Sequence, residues 1–140
     1  MNGPVLVTGG SGYLGGTIVR RLVADGVEVR ALARSSRSEG IIREHGGRPV
    51  PGDLLDPRSL AAAVCGCAIV FHAAGTNAMC MRDPFAMYRT NVTGTELVVR
   101  AAAAGGVARI VITSSAASIG EEVGTVGSET SAHRGSFLSQ

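Results

Sequence analysis

The stretch Val5-Leu6-Val7-Thr8-Gly9-Gly10-Ser11-Gly12-Tyr13-Leu14-Gly15, with Ile18 and Leu22 following at helical spacing, decides the fold. Three apolar residues in a row suit a strand buried on both faces. Glycines end it, and Leu14, Ile18 and Leu22 then recur every four residues, as on one face of a helix. Gly26 stops that helix, and Val27-Glu28-Val29-Arg30-Ala31-Leu32 reads as a second strand. Strands joined through a helix run parallel. Gly9, Gly12 and Gly15 form GxxGxxG at the strand-to-helix junction, where three tasks call for glycine: a tight turn, close approach of backbone to a pyrophosphate, and packing of helix on strand. The first amides of the helix would face the phosphates, so the junction reads as a dinucleotide site. The plainer alternative is a turn packed for its own sake.

Outward from this unit the alternation continues. Ser36 to Gly47, with Ile41 and Ile42 among polar residues, suggests a short helix, and Arg48 to Pro51 a brief strand. Asp56-Pro57 is a helix start, with Asp56 as cap and proline in the first turn, leading into Leu60 and Val64 and ending near Gly66. Ala68 to Ala73 and Ile110 to Thr113 are apolar strands. Between them a long helix is expected from about Pro84 to Ala104, its inward face formed by Phe85, Tyr88, Val92, Thr95, Val99 and Ala102. Apolar strands separated by helices imply a sheet covered on both sides. The expected class is α/β: a doubly wound parallel sheet of the Rossmann type, about five strands, truncated before the later ones. Residues 1–115 would form this nucleotide-binding portion. Residues 116–140 read as a loop or tail, since Glu121 to Gln140 is rich in Gly, Ser, Thr and Glu.

Composition bounds the function. With 140 residues, 45% of them hydrophobic and 17% charged, the chain can bury the core of one domain. Twenty glycines without any repeat point to tight turns and close backbone approaches. The net charge is +2 and the thirteen basic residues, all arginine, are scattered, which leaves no footprint for nucleic acid. No apolar run is long enough to span a bilayer and no leader is evident, so no membrane association and a cytoplasmic location are expected. Cys65, Cys67 and Cys80 support neither a disulfide framework nor a metal site, and are read as free thiols.

Five blocks carry a wider resemblance: Thr8-Gly9-Gly10-Ser11-Gly12-Tyr13-Leu14-Gly15, Gly52-Asp53-Leu54, His72-Ala73-Ala74-Gly75, Asn91-Val92-Thr93-Gly94-Thr95 and Thr113-Ser114-Ser115. In this order the chain resembles the extended or atypical short-chain dehydrogenase/reductases, which include NAD(P)-dependent epimerase/dehydratases and dihydroflavonol-reductase-like enzymes. The resemblance implies cofactor contacts from Gly9, Ser11, Gly12, Tyr13, Leu14 and Gly15. It further implies an Asp53 carboxylate that receives the adenine amino group, with Leu54 beside it, although Asp53 also suits a simple turn. Ala73, Ala74 and Gly75 would let the cofactor lie against backbone, and Asn91 would position the backbone of the site. His72 reads as a packed strand residue, because nothing nearby in sequence is set to orient it. An acid at the end of the second strand would bind a ribose diol, whereas an arginine there neutralises a 2′-phosphate. Ala33 stands in the acidic position of NAD-preferring members and Arg34-Ser35-Ser36-Arg37 follows, so NADP is expected, with NAD as the alternative. A solvated surface role is the other reading of Arg34.

Ser115 closes the fifth strand. In similar enzymes the matching serine hydrogen-bonds the substrate oxygen and works with a YxxxK pair, in which lysine lowers the tyrosine pKa. That pair is absent: Tyr13 and Tyr88 carry Thr17 and Val92 at i+4, and the chain has no lysine. His133-Arg134-Gly135-Ser136-Phe137-Leu138 resembles the lead into the catalytic tyrosine of some relatives. The expectation is the front portion of a longer oxidoreductase, catalytically incomplete, whose parent acts on a sugar nucleotide or small carbonyl or hydroxyl substrate by reduction, epimerisation or dehydration. A noncatalytic dinucleotide sensor is the alternative, and a short chain completed by a partner chain is a third. Self-association through an uncovered sheet edge is also expected.

Overall fold

The computed structural model describes residues 3–77, 83, 85–115 and 126–131. In chain order they form β1 (Val5–Thr8), α1 (Tyr13–Ala24), β2 (Val29–Ala33), α2 (Ser36–Glu44), β3 (Arg48–Pro51), α3 (Pro57–Val64) and β4 (Ile69–His72). Then come α4 (Phe85–Tyr88), a π-helical turn (Arg89–Thr93), α5 (Gly94–Ala104) and β5 (Arg109–Ile112). The sheet order is β3-β2-β1-β4-β5 with every pairing parallel, which is the doubly wound architecture expected from the sequence. The chain steps outward from β1 to β3 and then returns to lay β4 along the other side of β1, Val5 beside Ile69 and Thr8 beside His72. The helices that follow β1 and β4 lie on opposite faces of the sheet, and at this reversal a crevice opens at the carboxyl edge.

Period-two alternation divides the core into two layers. Val5 and Val7 join Val19, Val29, Ala31 and Ile42 on the face covered by α1 and α2. Leu6 joins Leu32, Leu60, Val64, Val70 and Val98 on the face covered by α3 and α5. All four residues of β1 are fully buried, so the strand that leads into the glycine loop is held from both sides. Ser35 caps α2, its hydroxyl accepting from Ser38 N–H while Ser38 Oγ accepts from Ser35 N–H. Asp56 caps α3 by accepting from the N–H groups of Arg58 and Ser59. These caps explain why two short helices begin where they do.

Three expectations change in detail. The second strand runs from Val29 to Ala33, slightly later than its apolar pattern suggested. The buried side of α1 is Gly15, Gly16 and Val19, with Ile18 and Leu22 only partly covered and Leu14 45% exposed, because the helix starts so close to the loop below it that backbone rather than leucine makes the contact. The long helix after β4 is not one continuous face. The π turn over Arg89–Thr93 takes one more residue per hydrogen-bonded ring than an α-turn and rotates everything before it. Phe85 and Tyr88 are consequently 67% and 60% exposed rather than packed in the core, and the buried residues of α5 are Gly94, Val98 and Ala102.

Among the described strands β5 pairs only with β4, and its Val111 and Ile112 are exposed. Residues 116–125 and 132–140 lie outside the described residues, and with them most of the expected tail, including the His133 to Leu138 segment; so do Cys80 and Pro84. Asp56→Ala is expected to cost about 1 kcal/mol of stability by unmaking the α3 cap. A urea midpoint unchanged by the substitution would show that α3 is held by packing alone.

Candidate active site

The site begins where β1 runs out. Gly9 has φ +75°, and a Cβ there would lie 2.7 Å from the backbone nitrogen of Ala74, so only glycine lets the β1 and β4 loops touch. Gly12 N–H returns to Gly9 O at 2.9 Å and Gly12 becomes the N-cap of α1. As glycine it offers no side-chain acceptor, and the first turn contains no acidic residue. The leading amides of α1 therefore keep their hydrogen-bonding capacity and the positive end of the helix dipole. Gly15 is buried, and a Cβ on it would fall 2.1 Å from Gly9 O. One glycine thus serves the turn, one the exposed cap and one the helix contact.

A cleft of about 560 Å³ opens at this edge. Successive strand ends line it: Gly9, Ser11 and Gly12 after β1, Arg34 after β2, Asp53 and Leu54 after β3, and Ala73, Ala74 and Gly75 after β4. Arg34 and Arg37 are exposed at its rim. Among the described residues the ion pairs belong to Arg21, Arg30, Arg43 and Arg89, and neither rim arginine has an acidic partner. Ala33, buried at the end of β2, offers no carboxylate. The Ser35 hydroxyl is occupied by the α2 cap. Asp53 Oδ1 accepts from Leu55 N–H at 2.9 Å and its main chain is tied to the Ser59 hydroxyl, so this residue closes the turn after β3 as well as lining the cleft.

A second cleft of about 450 Å³ shares Ala73, Ala74 and Gly75 with the first and adds His72, Asn91, Thr95 and Ser115. A ligand extending through both would cross this shared wall. The Asn91 amide grips the main chain of Thr76, accepting from its N–H at 2.8 Å and donating to its carbonyl at 2.7 Å. Tyr13, 94% exposed, and Leu14 line neither cleft, and Gly15 lies beneath the loop.

The sequence pattern of the NAD dependent epimerase/dehydratase family matches residues 5–137. The chain belongs to this family. It is 40% identical over 105 residues to the 4-hydroxy-2-methyl-3-oxo-4-farnesyl-3,4-dihydroquinoline-1-oxide ketoreductase of Stigmatella aurantiaca, covering 75% of this chain and 31% of that protein. The solved structure of gox2253 is similar with a TM-score of 0.83 and 36% identity, over 94% of this chain and 40% of that one. A short-chain dehydrogenase/reductase superfamily protein of Agrobacterium tumefaciens, solved with bound NAD, gives 0.70 and 34%, over 81% and 33%. The chain spans about a third of the length of the curated relatives it matches.

Reading along the chain missed His45 and the distant partners of His72, both of which brace the loops of this edge. His45 donates from Nδ1 to the Gly10 carbonyl at 3.3 Å and sits against Gly16, behind the glycine turn. His72 is a packed strand residue, 2% exposed, yet it has orienting partners: Thr8 Oγ1 is 2.7 Å from Nδ1 and Thr95 Oγ1 is 2.8 Å from Nε2. Those partners lie 64 and 23 residues away, and only the pairing of Thr8 with His72 across β1 and β4 announces the first.

Burial pushes the His72 pKa below its ordinary value of 6.5. The fold therefore favours neutral imidazole, and below that value the unfolded chain takes up the proton first. The stability His72 contributes is intact above 6.5 and is lost as pH falls from there toward its lower folded value. Urea midpoints should drop between about pH 7.5 and about pH 5.5, and His72→Gln should narrow the drop. An equal drop in the variant would assign the effect to other groups.

Proposed function

We propose that this chain forms the dinucleotide-binding part of an NADP-dependent oxidoreductase acting on a hydroxyl or carbonyl of a sugar nucleotide or small ketone. The end of β2 carries the cofactor choice: Ala33 has no carboxylate for a ribose diol, while Arg34 and Arg37 stand at the cleft without acidic partners among the described residues. A 2′-phosphate would satisfy both guanidiniums with charge-assisted hydrogen bonds, and a plain diol would not. The rest of the cleft fits such a group as well. The uncapped amides of α1 suit a diphosphate, and Leu32, Ile41 and Asp53 suit a flat base with an amino group.

When bound, the nicotinamide supplies or accepts a hydride. This chain's own residues hold and orient: Ala73, Ala74 and Gly75 offer backbone without bulk, Asn91 fixes the next loop residue, and Ser115 would hydrogen-bond the substrate oxygen in the second cleft. No lysine is present, so we assign the tyrosine and lysine acid/base pair to sequence beyond these 140 residues. The same absence favours a second reading, a noncatalytic dinucleotide-binding module, and a coding sequence that continues into YxxxK would exclude it. The edge of β5 that no described strand covers supports self-association of the isolated chain.

NADPH should bind more tightly than NADH, and Arg34→Ala should weaken NADPH by about tenfold while leaving NADH little changed. Fluorescence titration checks this, and equal affinity of the unaltered chain for both cofactors would overturn the assignment. Light scattering on the isolated chain should show concentration-dependent association; a monodisperse monomer that melts cooperatively would count against a role for the β5 edge.

A further inference from the structure

Donor counting around His72 gives its hydrogen bonds a direction. A threonine hydroxyl carries a single hydrogen. Thr95 gives its hydrogen to the Asn91 carbonyl at 2.7 Å, so toward His72 Nε2, 2.8 Å away, it can only accept. Nε2 therefore bears the proton. Burial keeps the ring neutral, and a neutral imidazole holds one proton, so Nδ1 is bare and accepts the hydrogen of Thr8 at 2.7 Å. Thr8 Oγ1, its hydrogen spent, accepts from Ala74 N–H at 3.4 Å, the longest link of the series. Hydrogen bonds thus run one way from Ala74 through Thr8, His72 and Thr95 to Asn91.

The Asn91 side chain turns this line into a circuit, because it holds both the N–H and the carbonyl of Thr76. Ala74 and Thr76 are gripped at the two ends of one chain of hydrogen bonds. Ala74 and the Gly75 that they bracket belong to the wall common to both clefts. A phenyl ring would offer only its surface there; what the imidazole adds is an acceptor and a donor on two sides of one rigid ring. Either tautomer could satisfy a lone hydroxyl, but here the commitment of Thr95 to Asn91 selects one.

We propose that His72, held as the Nε2–H tautomer, is a positioning residue: its ring joins Thr8 to Thr95 and thereby fixes the loop Ala73 to Thr76 against which the dinucleotide lies. This rests on the dinucleotide reading above and goes beyond it, since His72 acts through the loop.

Two measurements on the 140-residue chain test it separately. Nitrogen-15 NMR near neutral pH should find His72 Nε2 protonated and Nδ1 bare; the opposite tautomer would overturn the circuit. In NADPH titrations, His72→Phe should weaken binding about five- to tenfold, the worth of one net hydrogen bond, and shift the Ala74 and Thr76 amide signals. His72→Gln keeps one donor and one acceptor and should recover most of the affinity. Thr95→Val leaves the ring in place, breaks the circuit at its far side and should weaken binding in the same direction, which keeps the test open should His72→Phe fail to fold. Unchanged NADPH affinity in Thr95→Val, with the unaltered chain binding normally, overturns the positioning role alone. No binding by the unaltered chain overturns the dinucleotide reading, and the tautomer then decides the circuit.

Discussion

Gly9 lies so near Ala73 and Ala74 that nothing larger than hydrogen fits between the two loops, and Gly15 comes closer still to Gly9. This double approach of bare backbone sets the geometry of the whole edge. It holds the start of α1 over the end of β1, which aims the uncapped amides into the cleft. It also brings the loop after β4 into the same wall. Because β1 is buried on both faces and paired on both edges, the turn stands on the most constrained strand of the sheet. Precision at the rim comes from the packing beneath it.

The order of elements was legible because apolar runs, glycine stops and the Asp56-Pro57 start are local signals, each produced by a few adjacent residues. What escaped depended on distance or on helix phase. Spacing of three and four assumes α-helical winding throughout, and the π turn at Arg89–Thr93 breaks that assumption without any mark in composition, so Phe85 and Tyr88 were placed inward and stand outward. The loop residues after β1 to β4 that the family resemblance implies line one cleft, as a parallel sheet gathers its strand ends at a single edge. The partners of His72 could not be placed, since each comes from an element far away in sequence.

Charge is distributed unevenly around the cleft. Arg21 and Arg43 sit on exposed helix turns with acidic partners four residues away, Asp25 and Glu39, pairs that solvent largely screens. Arg34 and Arg37 have no such partner among the described residues, yet they stand beside the uncapped helix start, where positive potential accumulates. Unpaired arginines in solvent cost little, but concentrated at a concave edge they favour an anion there over any other ligand. The Ser35 cap has a part in this, since it starts α2 immediately after Arg34 and so settles where Arg37 follows.

The interior beneath that rim is organised on the opposite principle. Thr8, His72 and Thr95 are joined entirely by neutral groups, and a charged imidazole among them would have to be desolvated without a counter-ion. Neutrality keeps the relay compatible with the dry strands on either side of it, while its one-way donors keep every polar atom of the ring satisfied. A site for an anionic cofactor therefore gains its attraction from the rim and its rigidity from the uncharged layer below. The two jobs do not compete, because the rim arginines follow β2 while the relay joins β1, β4 and α5.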